Sequence, residues 1–239
     1  MDAPAIALHD VSKRFGHLTA LQGVVLNIPE GTAFALFGPN GAGKSTLLRL
    51  VATLGKPTSG QVRIRGIDTR QEPERVRADL GLISHQTLLY EDLTARENLA
   101  FYGKMYGLND LNPRVESTLE TVGLLDRQHD RVRGFSRGMK QRLTIARATL
   151  HRPAILLLDE PFTGLDAAAR TMLSGMLQTL RQEGRTILLV THDLQQGLAL
   201  TDRFAILNRG RIVAQNTTEG MTVETLQTLY EKTVSGGVA

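Results

Sequence analysis

The sequence contains no cysteine among its 239 residues, and aromatic residues make up only 5% of it. Without cysteine the chain forms no disulfide and has no thiolate for catalysis or for zinc or iron–sulfur binding. Few aromatic residues, and no basic tract interleaved with them, leave little that could stack on the bases of a nucleic-acid strand. We therefore expect no nucleic-acid partner and no cysteine-based metal or redox site.

Long apolar runs are missing as well. The longest, such as residues 155–158, have the length of a strand, whereas a membrane-spanning helix needs about 20 consecutive apolar residues. The first residues lack the basic start and the apolar run of a secretory signal, so we expect the chain to stay in the cytoplasm. Its net charge of +4 is modest and suits a nucleotide-binding protein.

The length of 239 residues suits one sizeable core, so we expect a single domain over 1–239. Strand-like apolar runs alternate with helical patterns, which favours an α/β fold with a mostly parallel sheet. The middle of the chain is helical in pattern instead. The predicted organisation is an α/β core formed by 1–85 and 151–239, into which a helical subdomain formed by 86–150 is inserted.

A glycine-rich loop lies between an apolar run and a helical pattern. It matches the phosphate-loop pattern G-x-x-x-x-G-K-[ST], in the strand-to-helix context that the pattern requires. Its glycines let backbone N–H groups turn towards the phosphates of ATP, and the following helix adds its positive end. Lys44 supplies a cation, Ser45 a hydroxyl ligand for Mg²⁺, and Thr46 a further phosphate contact. The loop residues are Gly38, Pro39, Asn40, Gly41, Ala42, Gly43, Lys44, Ser45 and Thr46.

Two carboxylates follow a second apolar run, residues 155–158. At the end of a strand, Asp159 is placed to hold Mg²⁺ and Glu160 to polarise a water molecule. Acidic residues often end strands, so this run alone is weak evidence. Beside a phosphate loop, it predicts an ATP-hydrolysing site.

Residues 135–142, which read FSRGMKQR, resemble the signature sequence of ABC ATPases, usually written LSGGQ and followed by a basic helix. Ser136 and Gly138 are retained, and in that family they contact the γ-phosphate of an ATP bound by the opposite subunit. The departures are Phe135 for Leu, Arg137 for Gly and Met139 for Gln. Arg137 puts the contact geometry most in question, because it places a side chain where the family has none.

Further positions resemble the family in the expected order along nearly the whole chain. Phe15 matches the aromatic residue that stacks on adenine, and Gln86 matches the Q-loop glutamine that links Mg²⁺ and water to the helical subdomain. Asp166 lies in a D-loop-like sequence, and His192 matches the switch histidine. The resemblance implies the ABC ATPase fold: a P-loop NTPase core with an N-terminal antiparallel β subdomain and an inserted α-helical subdomain.

The resemblance also implies how such a chain works. One chain cannot place its signature on its own phosphate loop, so in the family two domains face each other head to tail and enclose two ATP molecules. We therefore expect an ATP-dependent homodimer that hydrolyses ATP with Mg²⁺. Integral membrane transporter subunits are the expected partners, which would hold the chain at the inner face of the cell membrane.

Two classes outside transport share the signature. DNA-repair and chromosome-organising ATPases separate their lobes by long coiled coils, and this sequence has no sustained heptad run. Translation-associated ABC proteins carry two such domains in one chain, whereas this length suits one. Both remain alternatives, which stimulation of the ATPase by DNA or by ribosomes would identify.

Three segments carry a resemblance that concerns the cargo. Residues 84–94, residues 101–108 and the sequence SRGM at 136–139 look like the heme-exporter ATPases of cytochrome c maturation. Heme export is therefore expected. The alternative is export of drugs, lipids or polysaccharides, because those exporters share much of the sequence of the helical subdomain.

Overall fold

Two β-sheets and the helices around them form the part of the chain that the computed structural model describes, residues 3–84 and 86–235. Residues 1 and 239, the expected ends of the domain, lie outside the described residues. So does His85, which belongs to segment 84–94. The strands are β1 (Ile6–Phe15), β2 (Leu18–Ile28), β3 (Ala33–Phe37), β4 (Ser59–Ile64), β5 (Ile67–Asp68), β6 (Leu80–Ile83), β7 (Ile155–Asp159), β8 (Thr186–Val190), β9 (Arg203–Asn208) and β10 (Arg211–Thr217). The α-helices are α1 (Lys44–Val51), α2 (Pro73–Ala78), α3 (Ala95–Met105), α4 (Leu111–Thr121), α5 (Arg137–Thr149), α6 (Ala167–Gln182), α7 (Leu194–Leu200) and α8 (Val223–Ser235).

The larger sheet has the strand order β10-β9-β3-β8-β7-β6, and all its strand pairs are parallel except that of β9 with the edge strand β10. Its central strands are buried throughout, as the five residues of β7 show, which is typical of a sheet covered by helices on both faces. The predicted parallel sheet is confirmed. Because β3, β8 and β7 end at the same edge, the residues that follow them lie close together.

The smaller sheet is antiparallel, with the order β2-β1-β4-β5, as expected for the N-terminal part of the chain. Helix α1 lies between the two sheets. Its Leu47 and Leu50 share one hydrophobic core with Leu8 and Leu26 of the smaller sheet and Leu188 of the larger one. This core fixes the helix that follows the glycine-rich loop.

Helices α3, α4 and α5 pack together through buried side chains such as Leu99, Leu119 and Leu143, in a second core that includes Leu158 of β7. Leu157 belongs to the core around α1 instead, because neighbouring residues of a strand face opposite sides of a sheet. The two faces of the larger sheet therefore carry α1 and the helical region. No helix within the described ranges has both the length and the apolar character to cross a bilayer.

Candidate functional site

The glycine-rich loop connects the end of β3 to the start of α1, at the edge of the larger sheet where β7 and β8 also end. Gly43 has a φ of 107°, and a Cβ there would overlap the carbonyl oxygen of Ala20. Only glycine fits this close approach of the smaller sheet without strain. The loop is therefore held against β2 while the first turn of α1 presents its free N–H groups to the loop.

Lys44 points back into the loop. Its side chain is nearly buried, and Nζ donates hydrogen bonds to the carbonyl oxygens of Gly38 at 2.7 Å and Pro39 at 3.1 Å. Burial lowers the pKa of Lys44, an effect that the negative charges of Glu160 and Asp159 oppose. The ammonium group is thus held at the centre of the loop. When ATP binds, phosphate oxygens can replace the two carbonyl oxygens as its hydrogen-bond acceptors.

Ser45 and Asp159 meet at the mouth of the loop, where the Ser45 hydroxyl donates to Asp159 Oδ1 at 3.2 Å. One hydroxyl and one carboxylate are the hard oxygen ligands that Mg²⁺ accepts when waters and phosphate complete its shell, so the pair fits a magnesium ion. Gln86, the third expected ligand, is exposed in the loop after β6. Its backbone carbonyl oxygen accepts a hydrogen bond from the Ser84 hydroxyl at 3.0 Å.

Glu160 begins the segment after β7 in the left-handed backbone region, with a φ of 49°. Its backbone N–H donates to the carbonyl oxygen of Val190 at 2.9 Å, which ties it to β8. Its Oε2 lies 2.9 Å from Nδ1 of His192 and 3.4 Å from the Thr191 hydroxyl. Two side chains from the end of β8 therefore orient the carboxylate, and the backbone strain at Glu160 is typical of functional positions.

Phe15 lies at the end of β1, and 55% of its surface is exposed. The ammonium group of Lys13 stands 4.9 Å from the centre of its ring. An exposed aromatic face beside a cation suits the stacking of a planar, electron-rich ligand such as adenine.

Ser136 and Gly138 lie at the start of α5. Ser136 caps this helix, because its hydroxyl accepts a hydrogen bond from the N–H of Met139 at 3.2 Å. A Cβ added at Gly138 would lie 3.5 Å from Oδ2 of Asp166, and Asp166 itself caps α6 through the N–H of Ala169 at 2.8 Å. These residues line a cavity of about 460 Å³ to which no residue of the phosphate loop contributes.

Apart from Phe15 and Gln86, the structure brings the expected site residues together in two separate groups. Residues 38–46, Asp159, Glu160 and His192 form one group at the sheet edge. Ser136, Gly138 and Asp166 form the other. No residue of the first group lines the cavity of the second group.

The structure also shows the contacts of two further residues. The sequence did not point to Thr191, and it left the contact of Arg137 undecided. Thr191 directs its hydroxyl at Glu160, and its only sequence signal is its position before His192. Arg137 lies against Gly164, where a Cβ would overlap its guanidinium group, and donates to the carbonyl oxygen of Thr163 at 3.4 Å. Arg137 therefore contacts the D-loop-like segment of its own chain, a non-local contact that no sequence pattern signals.

Comparison with known proteins supports this description. The ABC transporter family profile matches residues 21–163. The chain is 37% identical over 223 residues to the ABC transporter ATP-binding protein NatA of Bacillus subtilis, covering 90% of this chain and 91% of that protein. It is 36% identical to the daunorubicin resistance ATP-binding protein DrrA3 of Streptomyces coeruleorubidus, covering 92% and 71%. It is 37% identical to the Nod factor export ATP-binding protein I of Rhizobium johnstonii, covering 90% and 72%.

Solved structures are similar over almost the entire chain. The structure of an ATP-binding subunit of an ABC transporter has a TM-score of 0.87 at 31% identity, covering 95% of this chain and 100% of that one. The dimeric cassette MJ0796 in a post-hydrolysis state with ADP and phosphate has a TM-score of 0.82 at 31% identity, covering 90% and 100%. The fold, the phosphate loop at the sheet edge and these similarities together show that the chain belongs to the ATP-binding subunits of ABC transporters, which hydrolyse ATP.

Proposed function

We propose that this chain powers an exporter of drugs, lipids or polysaccharides, and that it works at the inner face of the membrane through integral membrane subunits. ATP hydrolysis by this chain is supported by one feature of the structure. Five side chains meet at one edge of the larger sheet: Lys44, Ser45, Asp159, Glu160 and His192. The exporter part is supported by relatives named for daunorubicin resistance and Nod factor export. None of the relatives reported above is named for heme export, so the heme expectation lacks their support.

In the proposed reaction the residues around the loop act on ATP as follows. Lys44 and the loop N–H groups hold the β- and γ-phosphates, and Mg²⁺, held by Ser45 and Asp159, would neutralise charge on the phosphate oxygens. Glu160 accepts a proton from the water that attacks the γ-phosphorus, while the bond to the bridging oxygen breaks and ADP leaves. His192 keeps the Glu160 carboxylate oriented.

The second group of residues needs a second chain. Ser136 and Gly138 offer a hydroxyl and a helix N-terminus, which suit a phosphate, yet they line a cavity apart from the phosphate loop of their own chain. We propose that they contact the γ-phosphate held by a facing copy, so that ATP joins two chains and hydrolysis releases them. The dimeric structure of the similar cassette MJ0796 supports the pairing of two chains.

The surface for the membrane subunits is proposed to be an exposed apolar patch on α3 and the preceding segment, called the docking patch. It consists of Leu88, Tyr90, Phe101 and Met105, with exposed fractions between 38% and 68%. Tyr90 and Phe101 meet edge to face at 4.9 Å. Clustered exposed apolar side chains of this kind mark protein interaction sites, and a helix of the membrane subunit would fit against them.

A test of this function uses the chain together with the membrane proteins that co-purify with it in mild detergent. We expect those proteins to stimulate ATP hydrolysis, whereas DNA and ribosomes do not. Tyr90→Glu and Met105→Glu should reduce that stimulation at least about tenfold, because they place charge in a buried apolar contact, and should leave the hydrolysis rate of the isolated chain unchanged. Val25→Glu is the matched control, since Val25 is 54% exposed on β2.

The cargo is tested separately in cells. A strain that lacks the gene should become more sensitive to amphipathic drugs and keep normal levels of covalent c-type cytochromes. Loss of c-type cytochromes with unchanged drug sensitivity would support heme export and overturn the cargo proposed above. Stimulation by DNA or by ribosomes in the purified system would overturn the transport function as a whole.

A further inference from the structure

Two polar side chains, Arg147 in the last turn of α5 and His151 just after that helix, cover the free edge of the larger sheet. The edge strand β6 pairs only with β7 in the described residues, so its alternate carbonyl groups point away from the sheet. Arg147 donates through Nη2 to the carbonyl oxygen of Leu82 at 2.7 Å, and His151 Nε2 lies 3.0 Å from that of Leu80. Because a carbonyl oxygen only accepts, His151 carries its proton on Nε2.

Tyr102 of α3 and Tyr106, which directly follows α3, stack on these same side chains. The guanidinium carbon of Arg147 lies 5.2 Å from the centre of the Tyr102 ring, and the His151 and Tyr106 rings are stacked at 3.8 Å and 6°. The Tyr102 hydroxyl donates to the carbonyl oxygen of Leu88, a member of the docking patch. A continuous set of contacts, which we call the joint, therefore runs from the docking patch to β6 through Tyr102, Tyr106, Arg147 and His151.

The joint is polar although Arg147 is buried and its other members are half-buried, and two of its nitrogen atoms lack a hydrogen-bond partner among the described residues. Only 6% of Arg147 is exposed, and burial lowers its pKa as well as that of His151. Arg147 Nε and His151 Nδ1 are buried, and the described part of the chain offers them no hydrogen-bond partner. Apolar side chains of similar volume would fill the same space at lower cost, so packing alone does not explain these residues.

We propose that Arg147 and His151 are positioning residues for ATP hydrolysis, which hold α3 and its docking patch in register with the strand that leads to Gln86. β6 ends at Ile83, three residues before Gln86, so a shift of α3 acts on that loop through the carbonyl groups of Leu80 and Leu82. The joint gives the docking patch a direct mechanical connection to the edge of the catalytic sheet. This inference rests on the proposed role of the docking patch.

The experiment uses the isolated chain, whose lack of cysteine allows two spin labels to be placed without background. Met105→Cys on α3 and Leu54→Cys after α1 are suitable sites, with exposed fractions of 68% and 56%. In the parent chain, the distance between the labels should have one narrow distribution. In Arg147→Met it should broaden at least about twofold, because α3 loses its link to β6.

Hydrolysis in the unlabelled chain is the second readout. Arg147→Met should lower kcat about tenfold, as expected for loss of a hydrogen bond to a charged group, with ATP affinity within about twofold of the parent. Arg147→Lys keeps one donor for Leu82 and should recover most of kcat. Tyr102→Phe keeps the ring but loses the hydroxyl contact to Leu88, and should lower kcat about threefold without affecting folding.

Arg96→Met is the matched control. Arg96 lies on α3 and donates to Glu116 Oε1 at 2.9 Å and Gln128 Oε1 at 2.8 Å, inside the helical region. It should leave both the distance distribution and kcat unchanged. A narrow distribution with parental kcat in Arg147→Met, or equal losses in Arg96→Met, would overturn the proposal. If Arg147→Met does not fold, Tyr102→Phe decides alone, and parental kcat in that variant overturns it. Because no membrane subunit is present, these results are independent of the docking-patch test.

Discussion

His151 should make the folded chain sensitive to mild acid. Burial lowers its pKa from 6.5 to about 4, because the imidazole is shielded from water and faces Arg147. The folded state therefore resists protonation, whereas the unfolded state takes up a proton near pH 6.5. The stability contributed by neutral His151 is complete above that pH and is lost progressively as the pH falls towards 4. With about 1.4 kcal/mol for each pKa unit, the loss is about 2.5 kcal/mol at pH 4.5.

Urea unfolding of His151→Phe beside the parent chain isolates this effect from the other titrating groups. The Phe side chain keeps the stack on Tyr106 but cannot bond the Leu80 carbonyl group. At pH 7.5 the unfolding free energy of the variant should therefore be about 1 kcal/mol lower than that of the parent. From pH 7.5 to 4.5 the difference in unfolding free energy should move by about 2.5 kcal/mol in favour of the variant. Parallel pH profiles for His151→Phe and the parent would refute the reasoning.

Three further predictions concern the site and its support. Glu160→Gln should bind ATP but hydrolyse it at least about a hundredfold more slowly than the parent. Its molar mass by light scattering should double when ATP is added, and a monomer at saturating ATP would contradict the facing dimer. Lys44→Ala should weaken ATP binding at least about tenfold by calorimetry, because a phosphate-neutralising cation is lost, and unchanged affinity would contradict its role. Asn98→Ala should lower the unfolding free energy by about 3 kcal/mol, since the buried amide bonds Tyr90 and the Thr94 carbonyl group; the exposed Asn112→Ala should change it by less than about 0.5 kcal/mol.

The phosphate loop and the strand-end carboxylates were predictable from sequence because their geometry is local. A strand, a glycine turn and a helix in succession determine where Lys44 and Ser45 lie, and the same holds for Asp159 at the end of an apolar run. That these groups meet at one edge follows from the parallel order of β3, β8 and β7. The sequence therefore predicts the first group of site residues almost completely.

The parts that sequence did not predict depend on distant contacts. β6 is four residues long and contains Gly81, so its pattern is too short to identify a strand. Arg137 contacts Gly164 and Arg147 contacts Leu82, and in both contacts the two residues are far apart in the sequence. Such contacts are set by how α5 packs on the sheet, which periodicity and local motifs do not encode.

The separation of the phosphate loop from the signature residues has a genetic consequence. In the proposed dimer each ATP site takes its loop from one chain and its signature from the other. Homodimers with Lys44→Ala and homodimers with Ser136→Arg should each hydrolyse ATP poorly, because both of their sites carry the defect. In a dimer of one chain of each kind, one ATP site contains both substitutions. The other site combines an intact loop with an intact signature. Two such defective alleles of the same gene should therefore complement each other in part.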